Sequence, residues 1–448
     1  MKKVLSNRLV MDEFLGWRKH VDNDVSIWIK GYLINLNISD LFQKVSVFLS
    51  EETIPCAKIS YWINTVRGHF AIVIETPFWV FASVDKICSI PLFYAESEAS
   101  VTIGNNALSL IKKNKINTEN IDYNSAIEIA MSGFTTGSSS IYNGFYHLVS
   151  GECLLLDNDG VLQRTKYYKY SPWNVVNKSN EEFQLELSNT MLRVISDMAD
   201  SVDGRQIVIP LSAGNDSRYI ASALRHIGYD NVYCFSYGRK NNFEIQSARS
   251  IAEKLNYPWE PILINSHEQR KLFSQKKFKD FLEFSDTLSS SPVLIDYNAV
   301  HNLCANNKID SDAVFVNGNA GDFITGNHID PYFYNMDDST IDVKQIINNY
   351  IDKHYSLWGC LKTKNNISFI YNNINAMIDD ILNQNDIDDR MLWYVMESTE
   401  WSGRQSNIVT MTQRSYEFFN HEWRLPLWDP VLMDFWEKVP LHLKRKQN

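Results

Sequence analysis

The sequence predicts an α/β protein of two domains, and three observations lead to this fold class. Short β-branched and aromatic runs fill residues 1–172, as is typical of an antiparallel, two-layer β domain. Strand and helix patterns alternate between residues 206 and 255, as in a doubly wound parallel sheet. Mainly helical periodicity with many aromatic side chains follows after residue 260. We therefore expect a second domain over residues 180–448 with a largely helical C-terminal part.

The strands of the first domain are predicted from four apolar runs that Gly, Pro, Asn and Asp residues bound. These runs are SIWIKGYLINL, GHFAIVIE, FWVFASVD and ECLLLDN. The apolar pattern lapses in the stretch YKYSPWNVVNKSNEE, and helical spacing begins at about Glu181. The domain boundary is therefore expected between residues 170 and 180.

The alternating part of the second domain begins with an apolar strand over residues 206–211. A helix over residues 216–227, a strand over 231–237 and a helix over Phe243–Leu255 follow it. Asn256 is the expected stop of the last helix, because Asn tolerates the left-handed backbone that ends many helices.

Composition limits the classes of function. The 448 residues are 44% hydrophobic and 21% charged, which is globular, and the net charge of −10 disfavours a nucleic-acid partner. The six cysteines form no CxxC pair and no zinc spacing, so buried reduced thiols are expected. No run of about 18 apolar residues occurs, so we expect a cytoplasmic protein with no membrane partner.

A polar loop follows the first strand of the alternating part, in VIPLSAGNDSR. Ligands of open parallel sheets collect beyond the carboxyl ends of strands, where the next helix points its N–H groups outward. Gly214 allows a close approach, and Ser212 and Ser217 add hydroxyl donors, which suits a phosphate chain. Asp216 fits there as a ligand of Mg²⁺ held between phosphates. The alternative is an ordinary strand-to-helix turn with a capping side chain.

Three motifs in order resemble class B asparagine synthetases, which are relatives of the ATP pyrophosphatases. The loop Ser212-x-Gly214-x-Asp216-Ser217 is similar to the family's pyrophosphate loop. The segment VNGNAGDFITGN, with Gly318 and Asp322, is similar to its Gly-Glu-Gly-Ser-Asp-Glu segment. The segment HEWRLPLWD is similar to its Glu-x-Arg-x-Pro-x-x-Asp segment, matched by the residues Glu422, Arg424, Pro426 and Asp429.

The resemblance implies a reaction and a set of site residues. A carboxylate, either aspartate or a sugar uronic acid, would attack ATP to give an acyl-adenylate and pyrophosphate, and ammonia or an amine would then form an amide. Asp216 and Asp322 would hold Mg²⁺ against ATP, and Glu422 and Arg424 are candidate catalytic residues. The expected nucleotide-binding residues are Leu211, Ser212, Gly214, Asp216, Ser217, Ser236, Gly238 and Gly318. A buried ion pair that fixes the last helices is the favoured alternative for Glu422 and Arg424.

The N-terminal domain resembles the glutaminase domain of the same family. The segment RGHFAIVIETPFWVFASVDKICSIPLFYA matches the family's pattern at Asp85, Pro91, Leu92 and Tyr94. The family's nucleophile is an N-terminal cysteine, whereas Lys2 and Lys3 follow Met1 here and the first cysteine is Cys56. We therefore expect no glutaminase activity, and Asp85 is favoured as a structural turn residue.

Several positions depart from the family's synthetase motifs. Ala213 replaces a glycine, Asn319 replaces a glutamate, and Gly321 and Phe323 also differ. Lys444 and Lys446 are candidates, by position only, for the family's pyrophosphate-binding lysine, and a solvated basic tail is favoured for them. Arg218 is a candidate ligand of a phosphate or a carboxylate, and Glu244 of the substrate, although an exposed ion pair and a favourable helix start explain them equally well.

The sequence leaves other functions open. The loop SAGNDSR and the segment RLPLWD resemble asparagine-synthetase-like proteins of surface-polysaccharide clusters, which implies amidation of a sugar carboxylate. One alternative is a catalytically degenerate nucleotide-binding regulator or assembly partner. A nucleic-acid-modifying ATP pyrophosphatase is disfavoured because no basic domain is present. Homodimerisation and a separate source of ammonia stay open.

Overall fold

The computed structural model describes residues 8–50, 56–97, 100–240, 242–333, 341–383 and 392–444. The N-terminal part contains two β-sheets. Its strands are β1 (Leu9–Val10), β2 (Arg18–Asp22), β3 (Val25–Leu33), β4 (Gly68–Glu75), β5 (Trp79–Val84), β6 (Phe93–Ser97), β7 (Ser100–Gly104), β8 (Phe145–His147), β9 (Glu152–Asp157) and β10 (Leu162–Lys166). One sheet is antiparallel with the order β10-β9-β5-β4-β3-β2, and the other has the order β1-β7-β6-β8.

The two sheets pack face to face and helices cover their outer faces. In β4, Ala71 and Val73 contribute to the core shared with the second sheet, and Ile72 and Ile74 pack against the helices on the other face. This alternation has the period of two that a strand buried on both faces requires. The helices of this part are α1 (Ile38–Leu49), α2 (Cys56–Asn64), α3 (Ala107–Lys113) and α4 (Tyr123–Ser132). The predicted antiparallel β architecture is therefore confirmed.

The part of the chain after the N-terminal sandwich contains a third sheet, in which all the strands are parallel. Its strands are β11 (Ile207–Pro210), β12 (Val232–Gly238), β13 (Trp259–Leu263), β14 (Val314–Val316) and β15 (Glu422–Arg424), in the order β13-β12-β11-β14-β15. The helices α5 (Asn180–Asp200), α6 (Asn215–His226) and α7 (Phe243–Leu255) belong to the same part. The predicted doubly wound parallel sheet is confirmed, and α7 has the predicted bounds because Asn256 ends it with a φ of 54°.

The remaining chain is mainly helical, as predicted. Its helices are α8 (Ser266–Phe273), α9 (Lys276–Ser285), α10 (Tyr297–Ala305), α11 (Gly321–Ile324), α12 (Val343–His354), α13 (Lys364–Asn383), α14 (Leu392–Glu400), α15 (Arg414–Phe418), α16 (Pro430–Trp436) and α17 (Leu441–Lys444). Residues Trp401–Val409 continue α14 as a π-helix. None of the helices in the described ranges has both the length and the apolar character that a membrane span needs.

The predicted domain boundary falls next to a strong helix start. Ser179 and Glu182 form a reciprocal capping box at the beginning of α5, which satisfies two backbone donors. One apolar core nevertheless extends from the strands of the β-sandwich to those of the parallel sheet. The division at residues 172 and 180 stays a prediction.

Buried ion pairs also connect the two parts. The guanidinium of Arg67 lies 3.0 Å from Asp429 and also contacts Asp197. The Nζ atom of Lys30 in β3 lies 2.9 Å from a carboxylate oxygen of Glu417 in α15. Removing one partner of such a pair leaves a buried charge uncompensated, so these contacts fix how the sandwich sits on the parallel sheet.

Candidate functional site

The two acidic motifs meet where the strand order of the parallel sheet reverses. The central strand β11 pairs with β12 on one side and with β14 on the other, and all three strands run in the same direction. The loops that follow β11 and β14 therefore leave the sheet at the same edge, beside each other. This switch point is where open α/β sheets bind their ligands.

In the loop after β11, backbone N–H groups donate hydrogen bonds to two serine hydroxyls. The N–H of Ser212 donates to Ser217 Oγ at 3.0 Å, and the N–H of Gly214 donates to Ser212 Oγ at 3.1 Å. Gly214 is the N-cap of α6 and gives it no side-chain cap, so the first turn of this twelve-residue helix keeps donors for an anion. The N–H of Ala213 donates to Glu244 at 2.7 Å, so Glu244 holds the loop from the neighbouring helix.

Two glycines let the acidic side chains approach each other. A Cβ atom on Gly321 would lie 2.2 Å from Asp216 Oδ1, and one on Gly318 would lie 3.0 Å from Asp216 Cβ. The carboxylate of Asp216 also accepts a hydrogen bond from the backbone N–H of Asp322. Gly321, which departs from the resembling family, is therefore required by this close packing.

The electrostatics at this point suit a divalent cation. Burial, together with the smaller effect of the negative charge of Asp322, raises the pKa of Asp216 to about 6. Neither carboxylate forms an ion pair with another described residue. Mg²⁺ commonly binds through one or two carboxylates together with substrate phosphates, so these two acids and the uncapped start of α6 fit Mg²⁺ bound to a phosphate chain.

Asp216 and Asp322 line one cavity of about 620 Å³. Its other polar lining residues are Asn319, Asn327, His328, Lys353, His354, Glu400, Arg404, Gln405 and Thr412. The π-helical segment and the end of α12 supply its cations, Arg404 and Lys353. The guanidinium of Arg404 has no ion-pair partner in the described part of the chain. Neither cation was predicted from the sequence, because no local motif surrounds them.

The structure does not bring every predicted nucleotide-binding residue to this cavity. The hydroxyl of Ser236 donates to the carbonyl of Leu211 at 2.6 Å and accepts from Trp259 Nε1 at 3.0 Å. The N–H of Leu211 donates to Phe235, so neither residue keeps these groups for adenine. These groups hold the sheet together, and the nucleotide-binding assignment of Leu211 and Ser236 stays a prediction. Gly238 ends β12 and does not line the cavity.

Glu422 and Arg424 do not line the cavity of Asp216 and Asp322, and their catalytic assignment stays a prediction. They line a separate cavity of about 620 Å³ between the sandwich and the parallel sheet. Arg424 Nη1 lies 3.2 Å from Glu422, and its guanidinium stacks 4.1 Å from the ring of Tyr32. Arg205 also pairs with Glu422 at 3.0 Å. An ion pair is present, as the favoured alternative expects, but only Arg424 is buried, because the side chain of Glu422 is 40% exposed.

Other candidates have structural contacts. Lys444 is fully buried and lies 2.9 Å from Glu397, so it is neither a solvated tail residue nor part of the cavity. Lys446 lies outside the described residues. Arg218 is exposed and donates to Asn215 in its own helix. Asn319, in the place of the family's glutamate, donates to Thr412 Oγ1 at 2.9 Å.

The sandwich holds Asp85 in a turn. Its carboxylate accepts from the N–H groups of Phe70 at 3.1 Å and Ile87 at 2.9 Å and is bound by Ser89. These contacts fit the favoured structural role, and burial raises the pKa of Asp85 to about 6. Met1, Lys2 and Lys3 lie outside the described residues. Four of the cysteines are buried as expected, whereas Cys304 is partly buried and Cys360 is exposed.

Comparisons with protein families and with curated proteins find no match. Among solved structures, the chain is similar to a glutamine phosphoribosylpyrophosphate amidotransferase from B. subtilis, at 10% identity and a TM-score of 0.20, over 66% of this chain and 62% of that one. It is similar to an NH3-dependent NAD synthetase from Campylobacter jejuni, at 14% identity and a TM-score of 0.24, over 50% and 96%. It is similar to an NMN synthetase from Francisella tularensis, at 17% identity and a TM-score of 0.25, over 51% and 97%. The chain thus aligns with less than two thirds of the amidotransferase.

Proposed function

We propose that this protein forms an amide bond with ATP, by activating a carboxylate as an acyl-adenylate. The observation that carries the proposal is the convergence of Asp216 and Asp322 on one cavity at the switch point of the parallel sheet. The substrate carboxylate attacks the α-phosphate of ATP and pyrophosphate leaves. Ammonia or an amine then displaces AMP and leaves an amide.

The residues of the loop after β11 bind and orient the phosphates. The uncapped first turn of α6, which begins after Gly214, offers N–H donors to the phosphate oxygens, beside the hydroxyls of Ser212 and Ser217. When Mg²⁺ is bound, it neutralises the charge that grows on the leaving pyrophosphate. Asp216 and Asp322 would hold this ion, since their carboxylates have no cationic partner among the described residues.

One cation of the cavity is available to bind and orient the substrate. Arg404 has no ion-pair partner among the described residues, so its guanidinium is available to an anionic group of the substrate. The amides of Asn319, Asn327 and Gln405 line the same cavity and suit hydroxyl or carbonyl groups. This lining accommodates the carboxylates proposed from the sequence, aspartate or a sugar uronic acid.

The test is an incubation of the protein with Mg-ATP, ammonium chloride and a panel of carboxylates that includes aspartate and uronic acids. We expect AMP and pyrophosphate in equal amounts, dependent on one carboxylate. The variant Asp322→Asn should lose this activity. The exposed Asp203→Asn, before the opposite end of β11, is the matched control and should keep it. Hydrolysis of ATP to ADP, or equal activity of both variants, would refute the proposal.

Two contacts favour a second candidate, a catalytically degenerate nucleotide-binding regulator or assembly partner. Glu244 already occupies the N–H of Ala213, and Asn319 offers no carboxylate to a second reaction step. Mg²⁺-dependent ATP binding that requires Asp216, without AMP release from any carboxylate, would select this candidate.

A further inference from the structure

The cavity that contains Asp216 and Asp322 is also lined by two buried residues with a polar atom that lacks a hydrogen-bond partner in the described part of the chain. Glu400, at the end of α14, and His328, which follows α11, are each at least nine-tenths buried. Both side chains line the cavity. Glu400 Oε2 and His328 Nε2 have no hydrogen-bond partner among the described residues. Unsatisfied buried polar atoms are costly, so such atoms in a cavity indicate a ligand that satisfies them.

Glu400 is a fixed anion. Its Oε1 atom accepts from Lys353 Nζ at 2.7 Å and lies 2.7 Å from His354 Nε2. Burial alone would raise the pKa of Glu400, but the hydrogen bond from His354 and the charges of His354 and Lys353 lower it to about 2. The carboxylate is therefore ionised at neutral pH, and its second oxygen can only accept hydrogen bonds.

The contacts of His328 define its tautomer. Its Nδ1 atom lies 3.0 Å from the carbonyl oxygen of Phe323, so this nitrogen carries the hydrogen and donates it. Burial lowers the pKa of His328, which keeps the ring neutral. Its Nε2 atom therefore presents a lone pair, and the nearest carboxylate, on Glu397, is 4.0 Å away and offers no donor.

Two unsatisfied acceptors in one cavity suit a small ligand with at least two hydrogen-bond donors, and ammonia and ammonium have this property. We propose that Glu400 Oε2 and His328 Nε2 form the subsite that binds the amine nucleophile, as ammonia or ammonium, next to the nucleotide. Lys353 and His354 compensate the charge of Glu400 through its Oε1 atom, whereas the carboxylates of Asp216 and Asp322 have no ion-pair partner among the described residues, so the cavity attracts a small cation. This inference rests on the proposed function and names its nitrogen donor as an amine that enters this cavity.

The kinetic test varies ammonium chloride at saturating Mg-ATP and carboxylate. Glu400→Gln keeps the side-chain volume but replaces the anionic oxygen, and His328→Phe keeps the ring that packs 5.1 Å from Phe323. We expect each variant to raise the KM for ammonium at least tenfold, with the KM for ATP and for the carboxylate within twofold. The matched control is Glu437→Gln, which changes a carboxylate bound to Tyr168 outside the cavity and should leave the KM for ammonium unchanged.

A second measurement does not need turnover. Crystals soaked in rubidium chloride, whose cation resembles ammonium in size, should show an anomalous peak beside Glu400 Oε2, and crystals of Glu400→Gln should not. A rise in the KM for the carboxylate instead of ammonium, or the absence of the peak, would overturn the subsite. If no carboxylate yields AMP but the peak appears, the proposed function fails and the subsite stands. If turnover occurs and both variants keep the ammonium KM, the subsite fails and the proposed function stands.

Discussion

Two cavities of equal volume, about 620 Å³ each, differ in how their charges are compensated. In the cavity between the sandwich and the parallel sheet, the buried charges form ion pairs, such as Lys30 with Glu417 and Arg424 with Glu422. In the cavity at the switch point, Asp216, Asp322 and Arg404 lack ion-pair partners in the described ranges.

The difference separates structural charge from functional charge. Paired charges offset each other's desolvation and fix two parts of the molecule against each other. Uncompensated charges that face one cavity raise the free energy of the protein without a ligand and are satisfied when an ion or substrate binds. The two cavities therefore predict opposite effects of mutation, loss of activity at one and loss of stability at the other.

The largest expected effect is at Asp216. Asp216→Asn should lower the rate of AMP release about 1000-fold, or about 4 kcal/mol, because it removes a magnesium ligand. The midpoint of urea unfolding should not fall, since the change also removes the repulsion by Asp322. Steady-state kinetics and urea titration check this prediction. If the variant lost stability as well as activity, Asp216 would have a structural role instead of a role in metal binding.

The next effect is at Gly321. In Gly321→Ala the new Cβ would lie 2.2 Å from Asp216 Oδ1, so the carboxylate has to move by about 1 Å. A displacement of this size should lower kcat/KM for ATP about 100-fold. Gly359→Ala is the control, because no atom of the residues that the structure describes lies within 4 Å of its Cβ position. Equal activity of the two variants would show that the packing on Asp216 does not matter.

The contact between Gly321 and Asp216 shows what could and could not be predicted from the sequence. The loop after β11 and the segment around Asp322 were located from motifs, and their meeting follows from parallel strands that share an edge. The need for glycine at position 321 was not predicted, because it arises from a side chain about a hundred residues earlier. The fold class was predictable because periods of two and of 3.6 are local properties.

The positions of other charged residues could not be predicted, because they depend on packing between distant parts of the chain. Glu422 and Arg424 matched a motif, but their side chains face Ser201 and the sandwich, which only the packing of β15 decides. Lys353 and Arg404 belong to no motif and reach the cavity through the long-range packing of α12 and the π-helix. That Glu400 Oε2 has no hydrogen-bond partner among the described residues can be recognised only once the surrounding side chains are placed.

A smaller effect, on stability alone, is expected in the interface cavity. Lys30→Met should lower the free energy of unfolding by about 2 kcal/mol, below the usual cost of a broken buried pair because Glu417 keeps Arg414 as a partner. The KM for ATP should stay within twofold of wild type. Urea unfolding and ATP titration measure the two effects. A tenfold change in the KM for ATP would show that this cavity also affects activity, contrary to the contrast between the two cavities.

The smallest effect is the pH dependence that His69 contributes to stability. Burial lowers its pKa to about 3, and its ring packs 6.0 Å from Trp423, which lines the interface cavity. The unfolded chain takes up this proton near pH 6.5, so stability is lost as the pH falls below that value, by about 1 kcal/mol between pH 6.5 and 5.5. In His69→Gln this part of the pH dependence should disappear in urea titrations. An identical pH profile would show that His69 does not titrate on unfolding.

The most direct test of the magnesium-nucleotide site is diffraction from crystals with Mn²⁺ and a non-hydrolysable ATP analogue. We expect an anomalous peak for the metal about 2.2 Å from carboxylate oxygens of both Asp216 and Asp322, with the phosphates along the first turn of α6. A nucleotide bound in the cavity between the sandwich and the sheet, or a metal that contacts neither aspartate, would contradict the account.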